Sequence, residues 1–203
     1  MKMKKLELKF LIVILLLSSF NINAQNFILN VNIKSKDGST STDEVISMTY
    51  GLKSIKSGKV YQYQKIDEIT VNKKNESFTF YILETKLKYK SKKTPQLGIG
   101  YKVYDSQKLE LFHVNFSSNF SRTLHEIKPK LTYNPNYEVF IRRKGERFAY
   151  NIGCVDGYGC DDIRVRLKDF FYDCSNFFTE IKKKGIGRRE IIKISNLYNE
   201  YCN

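Results

Sequence analysis

Residues 137–152 read Tyr-Glu-Val-Phe-Ile-Arg-Arg-Lys-Gly-Glu-Arg-Phe-Ala-Tyr-Asn-Ile, and their order predicts a β-hairpin. Apolar and polar side chains alternate on both sides of Lys144-Gly145, as they do in two strands that each bury one face. Glycine tolerates the positive φ that a tight hairpin turn requires, which places the turn at Gly145. The stretch therefore indicates antiparallel β structure.

The same period of two recurs between Phe27 and Ile152. Three strand faces are marked by apolar residues at every second position: Phe27, Leu29, Val31 and Ile33; Phe78, Phe80 and Ile82; Leu97, Ile99, Tyr101 and Val103. Further strands are predicted at 44–50, 59–63, 66–72, 85–90 and 109–116. Short strands without a helical period between them favour an antiparallel sheet or barrel over a parallel α/β sheet.

After Cys160 the period becomes helical. Three short helices are predicted from their apolar faces: Ile163, Leu167, Phe170, Phe171 and Cys174, after a cap at Asp161 or Asp162; Phe177, Phe178 and Ile181, between a cap at Ser175 and Gly185; and Ile191, Ile194, Leu197, Tyr198 and Tyr201, within 188–201. The predicted fold class is α+β, an N-terminal antiparallel β-rich sheet or barrel followed by a C-terminal bundle of two or three short helices. The β-rich region spans 25–152, a Cys/Gly loop spans 153–161, and the helical subdomain, 162–203, packs on the sheet.

Residues 1–24 have the order of a secretory signal peptide: a basic start, an apolar run from Phe10 to Leu17, and a polar stretch ending at Ala24. The alternative is a membrane anchor, but the apolar run is about half of the ~20 residues that a bilayer span requires. The sequence therefore predicts cleavage after Ala24 and export to the periplasm or the exterior, with no transmembrane segment in the mature chain.

The chain is strongly basic, with 35 Lys and Arg against 21 Asp and Glu in 203 residues. Removal of residues 1–24 takes away four lysines and one glutamate, which lowers the net charge from +14 to +11. A hydrophobic share of 41% excludes wholesale disorder. Lys, Asn, Ile, Tyr and Phe are all abundant, so mutational drift toward AT-rich codons is an alternative explanation for the lysine excess.

All four cysteines, Cys154, Cys160, Cys174 and Cys202, lie in the last quarter of the chain. An even number of cysteines in an exported protein indicates two disulfides, for which three pairings are possible. We favour Cys154–Cys160 and Cys174–Cys202. Zinc is the competing interpretation, but there is no Cys-x-x-Cys pair, and neither histidine is near the cysteines in the sequence.

The C-terminal segments Leu167-Lys-Asp-Phe-Phe-Tyr-Asp-Cys174 and Tyr198-Asn-Glu-Tyr-Cys202 resemble the helical tail of a group of small secreted proteins from Flavobacteria and related Bacteroidetes. Those proteins combine a signal peptide, a β-rich region and a short helical tail. Where that group usually has proline after the helix cysteine, this chain has Ser175. The resemblance implies export and the domain plan, and it supplies no catalytic residue.

Basic clusters provide the candidate binding residues. The first contains Lys86, Lys88 and Lys90 on one predicted strand face, the second is Arg142-Arg143-Lys144-Gly-Glu-Arg147, and the third includes Arg188 and Arg189. If the clusters converge, they form an anion-binding surface for an anionic envelope component or polysaccharide; nucleic acid is not expected as the partner of an exported protein. The alternative is that these side chains form ordinary solvated faces.

The sequence predicts no catalytic residue, no metal site and no cofactor. His113 and His125 form no His-Glu-x-x-His motif, and Gly185-Ile-Gly-Arg-Arg-Glu190 lacks the third glycine of a dinucleotide fingerprint. Calcium remains an alternative at Asp156, Asp161 and Asp162. We therefore expect a non-enzymatic binding or envelope-associated protein. The alternative is a hydrolase of an envelope or extracellular polymer that uses carboxylates such as Glu68, Glu84 and Glu110.

Overall fold

The computed structural model describes residues 28–89, 92–115, 137–154, 163–187 and 190–202. Within these ranges the chain forms ten strands followed by three short helices. The strands are β1 (Ile28–Ser35), β2 (Thr40–Ser47), β3 (Gly51–Ser54), β4 (Val60–Gln62), β5 (Ile66–Lys73), β6 (Glu76–Lys86), β7 (Gln96–Asp105), β8 (Leu109–Asn115), β9 (Tyr137–Arg143) and β10 (Phe148–Cys154). The helices are α1 (Ile163–Phe170), α2 (Phe177–Lys183) and α3 (Ile191–Tyr201). The predicted α+β class is confirmed.

The strands form one sheet in the order β10–β9–β8–β7–β6–β5–β1–β2–β3–β4. Neighbours in this order are antiparallel, and β10 also pairs with β6 in parallel, with Phe148 opposite Glu84 and Tyr150 opposite Lys86. Strands β6 to β10 thereby close into a five-stranded barrel. Since consecutive strands alternate in direction, the first and fifth strands of this meander run the same way, and the closing pair has to be parallel.

The interior of the barrel is filled by apolar side chains. Its buried residues are Leu83, Phe112, Val114, Phe140 and Ala149. Gly100 of β7 makes room for them, because a Cβ at this position would lie 2.8 Å from Leu83 Cδ1 and 3.2 Å from Phe112 Cβ. Small barrels of this kind are packed cores rather than channels.

The N-terminal strands bury a second core on one face of the sheet. Leu29, Val31 and Ile33 of β1 are all buried, which confirms three of the four residues predicted for this face. Val31 lies opposite Val71, and Ile33 lies opposite Ile69 of β5. The predicted fourth residue, Phe27, lies outside the described residues, as do the predicted signal peptide at 1–24 and most of the Cys/Gly loop.

Strand β6 contributes to both cores. Phe80 and Ile82 face the N-terminal core, while Leu83 faces the barrel interior. Eleven residues make β6 the longest of the described strands. The two cores are therefore joined through one continuous strand rather than through a linker.

The helices cover the outer face of β8, β9 and β10. Leu111, Ile141 and Ile152 from the strands pack with Leu167 and Ile194 from the helices in one buried cluster. Of the helices in the described part of the chain, none is long and apolar enough to cross a bilayer. The helical layer thus packs on the sheet.

A disulfide joins Cys174 to Cys202, with their Cα atoms 5.6 Å apart. It links the segment after α1 to the residue after α3, so it fastens the end of the chain to the helical layer. This predicted pairing is confirmed. The other predicted pairing, between Cys154 and Cys160, cannot be followed because Cys160 lies outside the described residues.

The strand predicted at 85–90 is wrong. β6 continues through this region only to Lys86, and Leu87 to Tyr89 leave the sheet. The Tyr89 ring packs instead on the helical side, 4.8 Å from the Tyr150 ring and 5.6 Å from the Phe170 ring, centroid to centroid. The strand therefore ends where the Tyr89 side chain packs against the helical layer instead of continuing the sheet.

The strand predicted at 44–50 is also revised. β2 extends from Thr40 to Ser47 and is followed by a turn in which Met48 N donates to Gly51 O at 2.8 Å. Gly51 then opens the separate strand β3, where a Cβ would lie only 2.3 Å from the carbonyl oxygen of Tyr61. Glycine is required there because β3 and β4 approach closely.

Three side chains differ from the predicted positions for local reasons. Val103 does not share the face of Leu97, because a bulge between Lys102 and Tyr104 shifts the register and Val103 packs with the helices. Helix α2 is capped at Asn176 rather than at Ser175. Tyr201 is 50% exposed, since it lies in the last turn of α3.

Candidate functional site

The β9–β10 hairpin carries two arginines that line the same opening, Arg142 and Arg147. Its turn lies at Lys144-Gly145, and the φ of Gly145 is +82°, as the sequence predicts. Arg142 of β9 lies two residues after Phe140, whose side chain faces the barrel interior. Arg147 immediately precedes β10, and its guanidinium binds Glu84 of β6. Arg142 and Arg147 both line one opening beside the hairpin.

Glu110 holds Arg142 in place. Its Oε2 accepts from Arg142 Nε at 2.7 Å and lies 2.6 Å from Nη2, while its Oε1 lies 2.7 Å from Lys102 Nζ. The Glu110 side chain is only 7% exposed. Burial alone would raise its pKa, but Lys102 and Arg142 together hold the pKa of Glu110 below its usual range. The carboxylate therefore stays ionised and fixes the two cations.

Glu84 holds Arg147 in a similar way. Arg147 Nε donates to Glu84 Oε2 at 2.8 Å, its Nη2 donates to Oε1 at 3.1 Å, and Lys36 Nζ donates to Oε1 at 3.4 Å. Burial acts to raise the pKa of Glu84, but the hydrogen bonds from Arg147 and Lys36 lower it overall. The Arg147 side chain is 71% exposed, so this guanidinium is oriented yet open to solvent.

These groups meet at a polar opening of about 540 Å³, which we call the arginine cleft. Its lining residues are Lys36, Gln64, Asp67, Ile82, Glu84, Arg142 and Arg147. Both arginines use their Nε and Nη2 atoms to bind a glutamate, and no described residue accepts a hydrogen bond from either Nη1. The cleft therefore offers two oriented guanidinium groups, each with one edge that no described residue occupies by a hydrogen bond.

The described residues that the sequence predicts to bind anions have different surroundings. Lys86 Nζ lies 4.1 Å from the centroid of the Phe148 ring, and Lys88 is exposed beyond the end of β6. From the second basic cluster, Arg142 and Arg147 line the arginine cleft. The remaining candidates outside the described ranges are Lys90, Arg188 and Arg189.

Arg143 lies on the opposite face of β9 and connects the sheet to the helices. Its Nη2 donates to Phe170 O at 2.6 Å and to Asp173 Oδ1 at 2.9 Å, and its Nη1 donates to Tyr89 Oη at 3.1 Å. Its guanidinium also stands 4.6 Å from the centroid of the Phe170 ring. Burial opposes the charge, but Tyr198, Asp173 and Tyr89 raise the pKa of Arg143. These contacts give Arg143 a role in packing rather than in binding.

The carboxylates considered for hydrolysis are each paired with a cation. Glu68 Oε1 accepts from Lys34 Nζ at 2.8 Å, and Glu84 and Glu110 are held as described above. A general acid has to carry a proton near neutral pH, which requires a raised pKa. The lowered pKa values of Glu84 and Glu110 do not suit them to that role.

The described residues give no support for catalysis by histidine or for a metal site. Burial lowers the pKa of His113 on β8, so its imidazole is neutral near pH 7. The described residues contain no group of three His, Cys, Asp or Glu side chains able to hold a metal ion. His125 and the calcium candidates Asp156, Asp161 and Asp162 lie outside those residues.

A second opening, of about 500 Å³, lies among the helices. It is lined mainly by apolar side chains, among them Leu167, Phe178, Ile181 and Ile194, with lysines as its charged residues. It therefore lacks the paired donors and acceptors that fix a polar ligand. The arginine cleft is the stronger candidate for specific recognition.

Sequence reasoning identified the basic cluster around Arg142 and Arg147 but not the residues that complete the cleft. The hairpin turn at Gly145 is the local signal that connects Arg142 with Arg147. Lys36 lies in the turn after β1 and Glu84 on β6, and no local pattern connects them with the hairpin. No protein-family model, curated protein or solved structure matches this chain.

Proposed function

We propose that this is an exported, non-enzymatic binding protein whose partner is an anionic envelope component or an acidic polysaccharide. The arginine cleft carries the proposal, because it directs two oriented guanidinium groups and Lys36 toward one polar opening. Guanidinium groups recognise carboxylate and phosphate with paired hydrogen bonds. The net charge of +11 that remains after removal of residues 1–24 adds long-range attraction for a polyanion. The signal-like segment 1–24 and the Cys174–Cys202 disulfide support export.

The choice of binding over catalysis follows from the state of the carboxylates. Glycoside hydrolysis requires one carboxyl group that donates a proton and a second that stays ionised. Glu84 and Glu110 both have lowered pKa values because cations surround them. The hydrolase alternative therefore lacks a proton donor among these two glutamates.

The test measures binding of the protein to an immobilised acidic polysaccharide, polygalacturonate, and to its neutral methyl ester. We expect retention on polygalacturonate that persists at about 0.15 M salt, where the screening length is about 8 Å, and no retention on the ester. Elution from polygalacturonate below that salt concentration, or equal retention on both polymers, would contradict the proposal. Release of reducing ends during the same incubation would favour the hydrolase.

A further inference from the structure

In the part of the chain that the structure describes, the hydrogen-bond partners of the two cleft arginines lie along one edge of each guanidinium. Arg147 uses Nε and Nη2 to bind Glu84, and Arg142 uses Nε and Nη2 to bind Glu110. The opposite edge of a guanidinium consists of Nη1 and the outer side of Nη2, which together match the two oxygens of a carboxylate. Because the glutamates hold the planes of both groups, little orientational freedom is lost when a ligand binds.

The other lining groups restrict the kind of ligand. Asp67 and Glu84 are anionic acceptors, and the Gln64 amide both donates and accepts. A compact, highly charged anion would be repelled by the two carboxylates. A ligand that carries one carboxylate together with several hydroxyl groups would pair with both sets, since hydroxyls donate to carboxylates and a carboxylate accepts from arginine.

The volume of the opening fits such a ligand. About 540 Å³ lies within the range of small-molecule sites. Ile82, which is 5% exposed, is the apolar residue among the lining side chains. The cleft thus combines donors, acceptors and one apolar side chain within a single opening.

Resting on the proposed function, we infer that the arginine cleft binds an acidic sugar of the uronic acid class. The sugar carboxylate lies on the free edges of Arg147 and Arg142. Its hydroxyl groups donate to Asp67 and Glu84 and accept from Lys36. Specificity then comes from the combination of one carboxylate with neighbouring hydroxyls rather than from charge alone.

The experiment measures dissociation constants by titration calorimetry for tetragalacturonate, its methyl ester and inorganic phosphate. We expect the wild-type protein to bind tetragalacturonate at least ten times more tightly than either of the other two probes. Arg147→Gln should weaken tetragalacturonate binding about tenfold or more, and Arg147→Lys should weaken it similarly, since lysine keeps the charge but loses the planar pair of donors.

Matched controls separate the cleft from general basicity. Lys88→Gln and Lys183→Gln each remove one positive charge from an exposed side chain outside the cleft, and both should bind within twofold of the wild type. The melting temperature of Arg147→Gln should stay close to that of the wild type, because an exposed ion pair contributes little to stability. A fall in affinity for this variant therefore reports on the ligand contact.

The outcomes distinguish this inference from the proposed function. Retention on polygalacturonate together with unchanged tetragalacturonate affinity in Arg147→Gln would overturn the cleft assignment and leave the proposed function standing. Equal affinity for the methyl ester, or tighter binding of phosphate, would overturn the uronic acid class. Absence of binding to any acidic polysaccharide would remove both proposals.

Discussion

Replacement of Glu110 by glutamine keeps the shape of a buried side chain and removes its charge. In the wild type this carboxylate pairs with Lys102 at 2.7 Å and with Arg142 at 2.6 Å, and its side chain is 7% exposed. Glutamine accepts only weaker hydrogen bonds, so Arg142 would lose its carboxylate partner, while Lys102 would keep only Asp105, 2.9 Å away, as a counterion. We expect the folded state to lose stability while keeping its architecture.

The size of the loss follows from these contacts. Hydrogen bonds to charged groups contribute about 1.5–3 kcal/mol each. Lys102 and Arg142 are 18% and 22% exposed, so water compensates part of the loss. We therefore expect Glu110→Gln to lower the free energy of unfolding by about 2 kcal/mol at pH 7, a shift of about 1 M in the urea midpoint for a slope of about 2 kcal/mol per molar.

The effect should depend on pH with a defined sign. Because the folded state lowers the pKa of Glu110 below its ordinary value of 4.5, the stabilisation is fully present above that pH. It is lost as the pH falls through the lower, folded-state value. The difference between wild type and variant should therefore be largest near neutral pH and narrow as the pH drops below about 4.5.

The assay is urea unfolding followed by circular dichroism at pH 7, 5 and 3.5. Glu76→Gln serves as the control, since Glu76 is exposed at the start of β6 and should change the midpoint by little at any of these values. A loss below about 0.5 kcal/mol at pH 7, or a difference that stays constant down to pH 3.5, would refute the reasoning about the Glu110 pairs.

Three further substitutions test the packing. Exchange of both Cys174 and Cys202 for serine opens a bridge between residues 28 apart and should lower the free energy of unfolding by about 3–4 kcal/mol in urea; a loss under about 1 kcal/mol would contradict this. Gly100→Ala places a methyl group 2.8 Å from Leu83 Cδ1 and should lower the free energy of unfolding by about 1–3 kcal/mol, as measured by thermal unfolding. An unchanged melting temperature would show that the side chains of the barrel interior rearrange without cost. Arg143→Gln should cost about 2 kcal/mol in urea unfolding yet leave tetragalacturonate affinity unchanged, and weaker binding by the folded variant would contradict its packing role.

Much of the sheet could be predicted because its strands bury every second side chain, on one face of the strand. The alternation at Leu29, Val31 and Ile33 appears unchanged in the buried residues of β1. The hairpin turn at Gly145 also follows directly from local chemistry. Such features depend on neighbours within a few residues, so a single sequence contains the information for them.

Features that depend on distant partners could not be predicted. The parallel pairing of Phe148 with Glu84 closes the barrel. The sequence around these two residues does not distinguish strands that close a barrel from strands in an open sheet. The bulge beside Val103 depends on how β7 meets β8, and the end of β6 depends on the packing of Tyr89 with the helices. Tertiary contacts override the local pattern at these positions.

The candidate site also combines a feature that is visible in the sequence with features that depend on distant partners. The charge of Arg142 and Arg143 is visible in the sequence, but their roles differ because they lie on opposite faces of β9. Consecutive basic residues form one cluster in the sequence, but the side chains of neighbouring residues in a strand point to opposite faces of the sheet. The partners Lys36 and Glu84 come from other elements, so the cleft becomes apparent only in three dimensions.

The closing pair of the barrel also sets an order of events during folding. Phe148 meets Glu84 across 64 residues of chain, and such distant contacts form slowly because the intervening loop has to be closed first. A growing chain that ends before β10 leaves one edge of β6 without its barrel partner. The barrel can therefore complete itself only after about three quarters of the polypeptide has been synthesised, which makes folding of this half a late step rather than one that proceeds with chain growth.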